Sequence, residues 1–205
     1  MKTYTIIAGV NGVGKSSFTG VLKEQISDLG IIINTDEIAK DNNLGNISAG
    51  KIALNQVDSC ISNGENFTQE TTLSGVRTLK NILKAKENGY KIRVYYIGIN
   101  TLMDSLLRID NRVRKGGHNI DVEDVTRRFN NRNENLLRIL PYCDYGEIYD
   151  NENGFDKLAD VNKGQIIKLS NKITPMWYNE MITHINKTLS ANILDLTDEN
   201  ELGRK

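Results

Sequence analysis

Residues 8–17 read AGVNGVGKSS and follow directly on the apolar run Tyr4-Thr5-Ile6-Ile7. The β-branched and aromatic residues of that run predict a buried strand, and Phe18, Val21, Leu22, Ile26 and Leu29 recur at helical spacing just after it. The segment is therefore strand, tight loop, helix. Gly9, Gly14, Lys15 and Ser16 fit the spacing G-x-x-x-x-G-K-[ST]. In such a loop the backbone amides of Gly9, Val10, Asn11, Gly12, Val13, Gly14, Lys15, Ser16 and Ser17 cradle phosphate oxygens at the positive end of the helix. Lys15 would bridge the β- and γ-phosphates, and the Ser16 hydroxyl would enter the shell of a Mg²⁺ ion. The competing reading is an ordinary strand-to-helix turn with serine as N-cap. Gly9, Gly12 and Gly14 are spaced G-x-x-G-x-G, which does not match the dinucleotide fingerprint. The expected ligand is a nucleoside triphosphate.

Strands and helices alternate along the rest of the chain. Strands are predicted at 30–34, 66–69, 92–99 and 145–149, with 165–169 as a sixth. Helices are predicted through Ile52 to Ile61, closed by Asn63-Gly64, then through Leu79 to Leu83, Leu102 to Val113, Val122 to Leu140, and after Pro175. This alternation implies an α/β fold: a mostly parallel sheet of five to six strands, covered by helices on both faces as in P-loop NTPases, with a helical lid-like segment at about 102–140. The whole of 1–205 is expected to form one P-loop kinase domain, with a frayed polar tail at about 198–205.

With 26 basic and 26 acidic residues the chain has no net charge, so bulk electrostatics points to neither nucleic acid nor an anionic membrane. Cys60 and Cys143 have no metal-ligand spacing and read as buried apolar residues. No apolar run approaches the roughly 18 residues of a membrane span, and Met1-Lys2 leads straight into a strand, so a cytoplasmic location is expected.

Ligands of parallel sheets bind beyond the carboxyl ends of the strands, which directs attention to Asp36, Glu70 and Asp150. Asp36 reads equally as the carboxylate facing an acceptor hydroxyl or as the N-cap of a short helix. Glu70, in Phe67-Thr68-Gln69-Glu70-Thr71-Thr72, could hold a substrate hydroxyl, assist the Mg²⁺ water shell, or cap a helix near Ser74. Arg108, Arg112, Arg127, Arg128 and Arg132 crowd two helices around Gly116-Gly117-His118. Arg108 with Arg112, and Arg128 with Arg132, lie one turn apart, so each pair could face one phosphate through planar, permanently charged forks. The alternative is a solvated face with Glu123–Arg127 and Asp124–Arg128 pairs. Arg132 falls on the apolar stripe through Val125, Phe129 and Leu136, where a charge needs a partner or must snorkel. His118 reads as a packing or hydrogen-bonding residue more readily than as a base.

Taken together, AGVNGVGKSS, INTDEIA, TQETTLSG and RVRKGGHNIDVEDVTRRFNNRNENL resemble the zeta-toxin family of P-loop kinases, in its short chromosomal branch, over about Tyr4 to Asn151. The resemblance implies transfer of the γ-phosphoryl of ATP, with Mg²⁺, to the 3′-hydroxyl of the amino sugar in UDP-N-acetylglucosamine. It implies that Lys15 stabilises the transferred phosphoryl, that Asp36 is the base, and that Arg108 or Arg112, with Arg128, neutralises phosphate. Glu70 and Thr71, with His118 and Arg132 from the lid, would contact substrate. It also implies a small helical antitoxin as partner. Another nucleotide or cofactor as acceptor, or a regulatory switch without transfer, are the other readings the residues allow.

Overall fold

The computed structural model describes residues 1–42, 44–117 and 119–202. Five strands, β1 (Thr3–Ala8), β2 (Ile31–Ile33), β3 (Phe67–Thr71), β4 (Lys91–Gly98) and β5 (Tyr145–Asp150), lie parallel in the order β2-β3-β1-β4-β5. An antiparallel hairpin, β6 (Asp156–Asn162) and β7 (Gln165–Lys168), extends the sheet beyond β5 to seven strands. The sequence reading expects five or six strands and misses β6. In Asp156-Lys157-Leu158-Ala159-Asp160-Val161-Asn162 three charges interrupt the apolar positions, and only pairing with β5 buries Leu158, Ala159 and Val161.

Eight helices are described: α1 (Lys15–Gln25), α2 (Thr35–Asp41), α3 (Asn46–Asn63), α4 (Arg77–Glu87), α5 (Leu102–Arg114), α6 (Val122–Asn130), α7 (Arg132–Ile139) and α8 (Met176–Leu202). Alternation along the strands sorts them into two layers. Tyr4, Ile6 and Ala8 of β1, with Ile92, Val94 and Tyr96 of β4, pack against α3, α4, α7 and α8. Ile7, Tyr95 and Ile97 face the other way, onto Phe18 and Leu22 of α1 and Phe129 of α6. Helices on both faces leave the central strands β1 and β4 nearly wholly buried, which is why these two read as continuous apolar runs.

Three details depart from expectation. The helix expected over Val122 to Leu140 is two helices, because the chain breaks at Asn131 (φ −91°, ψ 7°). α1 ends at Gln25, and Ile26 and Leu29 pack from beyond it. α8 continues to Leu202, where a frayed tail is expected, while 203–205 lie outside the described residues. Gly64, in the left-handed region at φ 71°, ends α3 where the sequence places the stop. Cys60 and Cys143 are buried and free. Among the described residues, no helix is long and apolar enough to cross a membrane.

Candidate functional site

The carboxyl ends of β1, β2 and β3 open into a cleft of about 1060 Å³, closed on the far side by α5, α6 and the segment between them. The register decides what meets there: Ile7 of β1 pairs with Glu70, and Ile33 of β2 pairs with Gln69, so Glu70 comes to the base of the phosphate loop. Gly14 is the N-cap of α1, at φ 94°, and has no side-chain cap bond. The leading amides of α1 are thus offered to an anion at the positive end of the helix dipole. A Cβ on Gly14 would stand 2.7 Å from Asn151 Nδ2, and one on Gly12 would stand 2.6 Å from the Ser105 carbonyl oxygen. These two glycines therefore answer both to backbone conformation and to close approach.

Lys15 turns back under the loop, donating from Nζ to the carbonyls of Gly9 and Val10, each at 3.0 Å. Loss of water around the ammonium pushes its pKa down to about 8. The Glu70 and Asp36 carboxylates oppose that shift, while Arg112 and Arg128 add to it.

Glu70 is buried and holds three donors: Thr19 Oγ1 to Oε1 at 2.6 Å, and Ser16 Oγ and Asn34 Nδ2 to Oε2 at 2.7 and 2.9 Å. It caps no helix, since the N-cap of α4 is Val76 with no side-chain bond. Its side-chain partners among the described residues lie around Ser16, and Glu70 also lines the cleft. Thr71 lines the cleft, with Oγ1 accepting from the Leu73 amide and bonded to Thr78 Oγ1. Asp36 is not the cap of α2. Asn34 fills that role, accepting from the Asp36 and Glu37 amides, and the Asp36 carboxylate faces Arg112 across the cleft at 3.7 Å. Among the described residues no cluster of three or more His, Cys, Asp or Glu could hold a metal alone. A hydroxyl beside a carboxylate suits Mg²⁺, which takes one or two protein groups and completes its shell with water and phosphate.

The arginines do not act in the expected pairs. Arg108 donates from Nη2 to the carbonyls of Asn151 and Glu152 at 2.7 and 3.2 Å, and Asn151 in turn donates to the Val13 carbonyl. Arg112 turns instead toward Asp36. Arg128 donates to Asn11 Oδ1 at 3.1 Å and pairs with Asp124 at 3.3 Å. Arg108, Arg112 and Arg128 all line the cleft. Arg132 does not: it lies over the Phe129 ring at 4.1 Å, donates to the Phe129 carbonyl, and pairs with Glu180 of α8. Its expected substrate contact is a packing contact, because the break at Asn131 puts it on a new helix. His118 lies outside the described residues.

Sequence reasoning overlooked Asn34, Thr19 and Ser105. Asn34 carried a signal, as an Asn just before a helix is a preferred cap. Ser105 is fully buried and donates to the Asn11 carbonyl at 2.6 Å, with nothing in its spacing to announce it.

The family model described as Zeta toxin matches residues 1–154 of the chain. The chain belongs to the zeta toxin family. A Haemophilus influenzae protein described as uncharacterized is 36% identical over 124 residues, 58% of this chain and 86% of that one. Among solved structures, one of the PezAT chromosomal toxin-antitoxin system of Streptococcus pneumoniae aligns over 100% of this chain and 88% of its own, with TM-score 0.59 and 16% identity. The AvrRxo1-ORF1:-ORF2 structure with ATP aligns over 82% of this chain and 60% of its own, with TM-score 0.60 and 16% identity. At that identity these structures establish the shared fold, the P-loop kinase-like α/β sandwich of zeta toxins.

Proposed function

We propose that this zeta-toxin family member is a kinase that transfers the γ-phosphoryl of ATP to a hydroxyl of a nucleotide sugar such as UDP-N-acetylglucosamine. The observation that carries the reading is that Lys15 and Asp36 line one cleft, with Arg112 and Arg128 beside them. A hydrolase needs only a positioned water, whereas a kinase needs a carboxylate at the acceptor hydroxyl and cations along the phosphate path.

In this reading the uncapped amides of α1 and Lys15 hold the triphosphate, and Ser16 with Glu70 supports Mg²⁺, which when bound offsets phosphate charge. Asp36 accepts the proton of the attacking hydroxyl, while Arg112 and Arg128 follow the charge of the transferring group. Arg108, anchored on Asn151 and Glu152, shapes the nucleotide end. Arg112 faces Asp36, and Lys40 and Lys115 line the same cleft, a set of cations that favours an acceptor that itself carries phosphate. The solved structure of AvrRxo1-ORF1:-ORF2 with ATP supports the nucleotide, and the toxin-antitoxin context of PezAT supports an antitoxin partner.

The test is purified protein with Mg²⁺, ATP and UDP-N-acetylglucosamine, read by phosphorus NMR and mass spectrometry. The expected product is a sugar 3′-phosphate, and Asp36→Asn should abolish it while sparing ATP binding. ATP hydrolysis with no phosphorylated product from a panel of nucleotide sugars, nucleosides and cofactors would overturn the reading.

A further inference from the structure

We propose that Asn34 is a positioning residue that ties Asp36 to the phosphate end of the cleft, so that a ligand at Ser16 is felt in the first turn of α2. The inference rests on the reading of Asp36 as the acceptor base given above. Asn34 spans the two halves through one planar amide. Its Oδ1 accepts from the Asp36 and Glu37 amides at 3.0 and 3.4 Å, and its Nδ2 donates to Glu70 Oε2 at 2.9 Å and Ser16 Oγ at 3.2 Å. Oxygen and nitrogen of one rigid group thus move together.

Capping alone does not account for this residue. Aspartate caps a helix as well as asparagine but has no donor for Glu70, and serine offers a single oxygen on a shorter side chain where asparagine serves α2 and Glu70 from two separate atoms. An aspartate here would set a second carboxylate against Glu70. Three members of the network are nearly dry, Asn34 at 6% exposed, Glu70 at 9% and Thr19 at 4%, with Thr19 holding the other Glu70 oxygen, while Ser16 is exposed at the cleft. In such surroundings a lost partner is costly, so a change at one member is passed to the next and not absorbed by water. Ser16 Oγ accepts from Asn34 with a lone pair that a magnesium ion would claim. Any ligand of Ser16 therefore changes what Asn34 donates to, and the change reaches α2 through Oδ1.

The test is amide hydrogen exchange by NMR on the full chain. Among the described residues neither Glu70 nor Thr19 has a side-chain hydrogen bond to α2, yet without ligand Glu70→Gln and Thr19→Val should each speed exchange at the Asp36 and Glu37 amides, by about tenfold for Glu70→Gln. Lys84→Ala, on the far side of the sheet's helical layer, should leave those amides unchanged. With Mg²⁺ and ADP, the wild type should gain protection at both amides. Asn34→Ser keeps a cap and should bind the nucleotide by calorimetry without that gain. Unchanged exchange in Glu70→Gln and Thr19→Val, or a wild-type response in Asn34→Ser, would overturn the tie. If the wild type binds no nucleotide, the kinase reading falls, and the ligand-free comparison still decides whether Asn34 couples the two ends. Should Asn34→Ser or Glu70→Gln not fold, Thr19→Val decides it.

Discussion

At Lys15 an ammonium has exchanged water for two main-chain carbonyls, and its proton is held less tightly, down to about 8. The sign of the consequence follows. Below that pH the free protein already carries the charge that phosphate needs. Above it, binding must first take up a proton, so MgATP affinity should be flat up to about pH 8 and then fall by up to about tenfold per pH unit. Calorimetry in buffers of different ionisation heat should show proton uptake at pH 9 and little at pH 7, and Lys15→Met should remove the pH dependence along with most of the affinity. The lysine itself was legible in the sequence, because the loop is local and its spacing is set by its own geometry. Its depressed pKa was not, since that comes from the loop folding over it. Asp36 shows the same limit: its sequence fits both cap and base, and only the hydrogen bonds of Asn34 remove the first.

Among the elements, α5 and α6 are fastened to the phosphate loop by one bond each, from Ser105 to the Asn11 carbonyl and from Arg128 to Asn11 Oδ1. Ser105→Ala leaves a buried carbonyl without its donor and should cost about 1–3 kcal/mol, measured by urea denaturation, while weakening MgATP binding. Arg128 and Arg132 should separate cleanly despite their i,i+4 spacing. Arg128→Ala should leave stability within about 1 kcal/mol and lower phosphoryl transfer about a hundredfold or more. Arg132→Ala should lower stability by about 1–3 kcal/mol, through lost packing on Phe129 more than the half-exposed Glu180 pair, and leave transfer per folded molecule unchanged. Helical spacing predicts a shared face only while the helix continues, and the break at Asn131 ends that inference between these two residues. The missed strand β6 has a similar cause. Its charges obscure the alternation, and the burial that makes it a strand belongs to its neighbour.

For the molecule as a whole, α8 is sealed to the sheet by Trp177, which is fully buried, donates from Nε1 to Asp150 Oδ1 at 2.7 Å, and lies over Gly98. A Cβ on Gly98 would meet the indole at 2.4 Å. Gly98→Ala should therefore push α8 off the end of β4 and cost about 1–3 kcal/mol. As Trp177 is the one tryptophan in the chain, its fluorescence should report both the displacement and the lowered melting temperature. Unchanged emission and melting would show that α8 adjusts freely. The sequence alone determined the strand-loop-helix that opens the chain, the alternation that makes the sheet parallel, and the family, because each depends on residues within a few turns of one another. Only the tertiary structure decided which side chains share the cleft. Asn34 and Glu70 are 36 positions apart, Ser16 and Glu70 are 54 apart, and Arg128 and Asn11 are 117 apart. Those meetings are set by strand register and by crossovers packed onto both faces of the sheet, which are global minima of burial, and no spacing rule within the chain encodes them.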